Sequence, residues 1–301
     1  MTGFVARALI ALFLFVLLWK LAGTSVETLR SATFRRPEIG ARPVTPAPPS
    51  TPDRGLEAAL REVAAGPGTV SVAVRNLTTG ARADVSADRP MPAASLFKLP
   101  ILVEVFKQNR LRRFNMDDQQ IISRDHWTDG SGVLQARIGE RLPVRELVRL
   151  MIVESDNVAA LVLIDLVGVE NINQTATSMG LRSTGIQDRR DPRGPHTTSA
   201  SDMATLLETV ASGRLVDPAT SEEVVRLLEQ KQANSWLEGG LPWWAKLAHK
   251  WGELPGVRHD AGIVFTPQGT FVVVVMTEGV DNDSSAEAIS RVSRVTFEHF
   301  N

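Results

Sequence analysis

An α+β protein is predicted: an antiparallel sheet built from both ends of the chain, flanked by helices and interrupted by an inserted all-helical subdomain. Three observations carry this. Alternating residues over 69–77 and 81–86, joined at Thr79-Gly80, mark an early hairpin. Mostly helical periodicity fills the interval from 95 to about 210, clearest over 144–151, where Leu147, Leu150 and Met151 recur at helical spacing. Strand-like runs then return over 246–251, 261–265 and 270–277, the last two turned by Gln268-Gly269, before a closing helix over 286–300.

Ahead of this region lie two segments of different character. Residues 8–19 read ALIALFLFVLLW between Arg7 and Lys20, long enough for a signal-peptide core or, from Phe4 to Gly23, a marginal span. No A-x-A site follows, so an uncleaved membrane anchor over 1–30 is expected, with a cleaved signal as the alternative. Either puts the rest of the chain outside the cytoplasm. Residues 31–53 are rich in proline (Pro37, Pro43, Pro46, Pro48, Pro49, Pro52) and read as a semi-rigid spacer, unable to form a ladder. Residues 54–301 form the folded domain, starting with an amphipathic helix over 53–65.

Composition narrows the chemistry. At 301 residues with a net charge of −1, the chain can bury a large core and offers no electrostatic reason to bind nucleic acid. With Cys at 0, thiol catalysis, disulfides and thiolate metal sites are excluded. There is no G-x-S-x-G, no H-E-x-x-H, no metal-like histidine spacing and no glycine-rich phosphate loop, so neither cofactor nor metal is expected.

Three short motifs occur in order: Ser95-Leu96-Phe97-Lys98, Ser155-Asp156-Asn157 about sixty residues on, and Lys250-Trp251-Gly252. A chain of this length carries about one S-x-x-K by chance, so order and spacing are the signal. On a helix Ser95 and Lys98 share a face, and the amine reaches the hydroxyl. Lysine acts as a base only when burial or a nearby cation, such as Lys250, lowers its pKa. Pro100 demands that the helix begin close before it, since its missing N–H is harmless only in a first turn. Ser155-Asp156-Asn157 also has the chemistry of a turn or helix cap.

Together the motifs and their order mean that the chain, from about residue 53 onward, resembles the class A β-lactamase-like, penicillin-recognising serine hydrolases. The resemblance implies an active site between two lobes. Ser95 would be the nucleophile, Lys98 the base and Ser155 the proton relay to the leaving nitrogen. Asn157 would bind Lys98 and the substrate amide, and Lys250 the substrate carboxylate. Gly252 belongs to the same substrate-side strand, and the N–H groups of Ser95 and Glu253 would form the oxyanion hole. The implied partner is a β-lactam or a peptidoglycan stem peptide, the implied location is a bacterial cell envelope, and a monomer is the expected state.

Two departures qualify the resemblance. Trp251 stands where the family has Thr, adding bulk beside the carboxylate site; with Trp236, Trp243 and Trp244 it forms either packing around a strand edge or an aromatic cleft wall. Trp127 is read in the same two ways for the opposite rim. The family's deacylating Glu, in an E-x-x-L-N loop, is missing: residues 180–197 read GLRSTGIQDRRDPRGPHT, with Asp188 and Asp191 as the carboxylates. Acylation is expected to survive and deacylation to be slow. A D-alanyl-D-alanine peptidase and a catalytically eroded binding module are the alternatives.

Overall fold

The computed structural model describes residues 48–188, 191 and 194–301. The expected anchor, most of the spacer and part of the 180–197 loop lie outside them.

The sheet has six strands in the order β1-β3-β2-β10-β9-β8. These are β1 (Thr51–Pro52), β2 (Thr69–Asn76), β3 (Ala81–Val85), β8 (Lys246–Leu254), β9 (Val257–Thr266) and β10 (Gly269–Glu278). The run TFVVVVMT explains why β10 is central. Val272, Val274 and Met276 enter the core shared with the helical subdomain, whereas Phe271, Val273 and Val275 enter a second core. A strand buried on both faces needs an unbroken apolar run, and period 2 divides it between two layers.

The second core is closed by α1 (Arg54–Ala64), through Leu56, Leu60 and Val63, and by α8 (Asn282–Phe300), through Ile289 and Val292. Asp53 caps α1, its Oδ1 accepting from Leu56 N at 2.9 Å. On the other face lie α2 (Lys98–Arg110), α3 (Val144–Val153), α4 (Asn157–Val167), α5 (Val169–Ser178), α6 (Ala200–Ala211) and α7 (Pro218–Leu228). Two small ladders, β4 (Met91–Pro92) with β7 (Thr197–Thr198) and β5 (Gln119–Ile121) with β6 (Arg141–Pro143), tie the connections down. This is the α+β architecture expected, with the helical insert between the early and late strands.

The end of the proline-rich stretch differs from expectation, because Thr51–Pro52 pairs in parallel with Ala81–Arg82. Thr51 N donates to Gly80 O at 2.9 Å and Asp53 N to Arg82 O at 2.7 Å. Pro52 falls between these two donors, where an edge strand needs no N–H. Strands β8 and β9 also run further than the sequence suggested, meeting at Pro255-Gly256, where Gly256 (φ 72°) takes the left-handed position of a tight turn.

Candidate active site

Ser95 lies in a single 3-10 turn (Ala94–Phe97) that leads into α2. Pro100 is the third residue of α2, inside the first turn, so its missing N–H breaks no helical bond. Ala94, at φ 43°, is a non-glycine residue in the left-handed region, a conformation that persists only where the surroundings enforce it. Strand β8 supplies that enforcement. A Cβ added to Gly252 would lie 2.9 Å from Ser95 N and 3.1 Å from Ala94 Cβ, so only glycine lets the strand and the turn approach this closely.

The S-D-N segment links α3 to α4. Asp156 caps α4 through Ala159 N (2.8 Å), and its other oxygen accepts from Val133 N (2.6 Å) and Leu134 N (2.9 Å). A side chain at Gly132 (φ 119°) would stand 2.2 Å from that oxygen. The segment thus divides by residue: Asp156 caps the helix and ties down the loop, while Ser155 and Asn157 face Ser95 and Lys98. Ser155, at φ 52°, is a second left-handed non-glycine residue.

Lys98 is where the elements meet. Its side chain is 0 % exposed, and Nζ donates to Ser155 O at 2.6 Å and Asn157 Oδ1 at 2.8 Å. Two hydroxyl oxygens complete the surroundings, Ser155 Oγ at 3.1 Å and Ser95 Oγ at 3.3 Å, and Ser155 Oγ lies 2.9 Å from Ser95 Oγ. Burial, then the nearby Lys250 ammonium, pushes the Lys98 pKa well below its ordinary value, with Asp156 opposing. When the amine is neutral, its two protons satisfy the two carbonyl acceptors. The lone pair is then left facing the hydroxyls, the arrangement a general base for Ser95 requires.

Lys250 is also 0 % exposed; burial lowers its pKa to about 7 against the opposing charge of Asp260. Nζ donates to the carbonyl of Trp251 at 2.9 Å. Gly252 packs against the Ser95 turn, and the Lys250 ammonium lies 4.8 Å from the centre of the Trp251 ring. The Trp251 indole is 7 % exposed and packs edge-on against Trp236, with ring centres 5.9 Å apart at 86°. The packing reading therefore describes Trp251, which is absent from the lining of the cleft. Trp127 and Trp243 are exposed, and Trp244 packs on Phe297. His249 and Asp260 form a buried pair at 2.7 Å.

A cavity of about 410 Å³ opens on Ser95, lined by Gly130, Ser131, Asn157, Glu253 and the Pro255-Gly256 turn among others. Lys98, Ser155 and Lys250 lie behind this lining. Glu253, its one carboxylate among the described residues, is held by Arg258 through bonds of 2.9 and 2.8 Å to Oε1. Asp191 lines a neighbouring depression with Pro92, Leu254 and Glu278. His196, at the end of the 180–197 loop, packs on Phe97 with ring centres 4.7 Å apart, and its carbonyl accepts from Ala93 N at 2.8 Å. Sequence reasoning missed the Gly130-Ser131-Gly132 segment, Asp156 as its anchor, and Asn282 on the cavity wall. The paired glycines of DGSG were the signal for the first.

The fold holds a serine, Ser95, beside a buried lysine, Lys98, and the class it defines is that of the β-lactamase-type serine hydrolases. A model of the β-lactamase enzyme family matches residues 55–300. Among solved structures, PBP-A superposes with a TM-score of 0.81 at 30 % identity, covering 85 % of this chain and 99 % of that one. A mutant of PBP-A, solved as an acyl-enzyme complex with penicillin G, gives a TM-score of 0.80 at 31 % identity, covering 84 % of this chain and 98 % of that one. An ancestral class A β-lactamase gives 0.74 at 26 % identity, covering 81 % of this chain and 100 % of that one. β-Lactamase L2 of Stenotrophomonas maltophilia is 23 % identical over 260 residues, 80 % of this chain and 82 % of its own. The chain belongs to the β-lactamase enzyme family.

Proposed function

We propose that this protein is an extracytoplasmic serine hydrolase of the class A β-lactamase type, which is acylated at Ser95 by β-lactams or related amides and releases the acyl group slowly. The observation that carries this reading is the Lys98 amine, buried and bound to two carbonyl oxygens with Ser95 and Ser155 beside it. Lys98 takes the Ser95 proton as Oγ bonds to the amide carbon. The carbonyl becomes an oxyanion held by the N–H groups of Ser95 and Glu253. Collapse expels the amide nitrogen, which takes its proton through Ser155, and an ester remains on Ser95. Hydrolysis of that ester needs an activated water. The 180–197 loop contributes no Glu for this, which supports slow release. The penicillin G acyl-enzyme of the PBP-A mutant supports the acylation step.

The missing Glu also supports a second reading, in which the substrate is a stem peptide ending in D-alanyl-D-alanine. The apolar run over 8–19 supports membrane attachment with the domain outside the cytoplasm. Intact mass spectrometry after a pulse of benzylpenicillin, with Ser95→Ala as control, tests the chemistry. A Ser95-dependent adduct lasting hours is expected. Loss of the adduct within seconds while penicilloate accumulates overturns slow release, and no adduct at all overturns the reaction. Release of D-alanine from a muropeptide distinguishes the second reading.

A further inference from the structure

We propose that Trp251 is a positioning residue for Lys250: its indole face and its own carbonyl hold the ammonium in place beside the Ser95 turn. The inference deepens the acylation reading above and rests on it. Lys250 Nζ lies 4.8 Å from the centre of the Trp251 ring and donates to the Trp251 carbonyl at 2.9 Å. The ring is locked in turn. Trp236 meets it edge-on at 5.9 Å, and the Arg258 guanidinium lies 5.1 Å from the Trp236 ring centre. Arg258 is itself fixed by Glu253 and by the carbonyl of Asn282, two residues of the cavity wall. A continuous stack thus runs from the ammonium to the rim of the cleft, and it starts at the position where the family carries a threonine.

The physical reason is the environment of Lys250. It is fully buried, and a cation out of water is held by an indole face far more firmly than at the surface. The charged and titratable groups around it are Lys98 on α2, Asp156 in the S-D-N loop, Asp260 across on β9 with its partner His249, and the Glu253–Arg258 pair at the strand's end. The buried residues of α7, which packs against β8, are Thr220, Ser221, Val224, Val225, Leu227 and Leu228, none of them titratable. Burial disfavours the Lys250 charge, while Asp260 and the indole face favour it. Removing the indole face lowers the pKa of Lys250 further. Once Lys250 loses its charge, its repulsion of Lys98 fades, and the pKa of Lys98 rises.

The test is the pH profile of Ser95 acylation by benzylpenicillin, measured on the full chain from pH 5 to 9 with Trp251→Leu, Trp251→Phe and Trp251→Thr. For Trp251→Leu the alkaline limb should move down by about one pH unit and the acid limb should move up, narrowing the profile. Trp251→Phe, which keeps an aromatic face, should retain most of the wild-type profile. Uniform slowing at every pH would mean a packing role alone and would overturn the inference. Faster acylation by Trp251→Thr with unmoved limbs would overturn it too, marking the indole as a steric block. Titration of the Lys250 side chain by NMR reads the same quantity without turnover. A shift there with no acylation of wild type would sink the reaction and keep the positioning role; equal titration in wild type and Trp251→Leu would sink the role itself.

Discussion

Two segments border Ser95, and they are built very differently. On one side Lys98, Ser155, Asn157 and Asp156 form a buried network in which each polar group has a partner within 3.3 Å. On the other, the 180–197 loop is tied to the domain by the two-residue β4–β7 ladder, by Asp202, which accepts from Arg182 N, Ser183 N and Thr184 Oγ1, by Asn173, which bonds both backbone groups of Ile186, and by packing of His196 on Phe97. The first arrangement suits proton transfer out of Ser95. The second places no carboxylate in the lining of the Ser95 cavity among the described residues. In the proposed mechanism, forming and hydrolysing an acyl-enzyme are separate tasks with separate residues, so one side can be complete while the other is lean.

The sharpest way to break this contrast is to remove the base. Lys98→Met should slow Ser95 acylation by about 10³–10⁴-fold, read from the rate of adduct formation, and a loss below ten-fold would mean that another group takes the proton. Ser155→Ala comes next, at about 10²–10³-fold, with the loss concentrated in substrates whose leaving nitrogen must be protonated. Asp156→Ala addresses the scaffold under the network. It strips a buried carboxylate acceptor from three backbone N–H groups and should cost about 3 kcal/mol in a denaturant titration. The smallest effect should come from the lean side. Gln187→Glu introduces a carboxylate into the loop and should hasten adduct loss by a few-fold if that segment reaches the ester. An unchanged lifetime would show that the loop backbone, and not merely its composition, differs from a deacylating one.

The elements were readable to different depths. Val272 to Met276 announce a buried strand because two apolar layers require an unbroken apolar run. Strands β8 and β9 were read too short because Gly252, Glu253 and Arg258 interrupt the apolar pattern. Those residues answer to the cleft, and a polar, glycine-containing strand end looks like a loop from sequence. Pro52 looked incompatible with any ladder until its register put the missing N–H between two real donors.

At the site, residue types and their order named Ser95, Lys98, Ser155, Asn157 and Lys250 as candidates, and the fold gathers Ser95, Ser155 and Asn157 within hydrogen-bond reach of the Lys98 amine, with Lys250 buried nearby. A serine becomes a nucleophile only beside a base, and few spacings bring the two together. Sequence alone also showed that the 180–197 loop lacks a glutamate. Tertiary structure alone decided which way Trp251 turns and that Asp156 serves the backbone. It also decided that both lysines are buried deeply enough to lose part of their basicity. Orientation across an edge strand, and desolvation by segments about sixty residues apart, are set by the neighbours a residue acquires on folding, and no local pattern of residues encodes them.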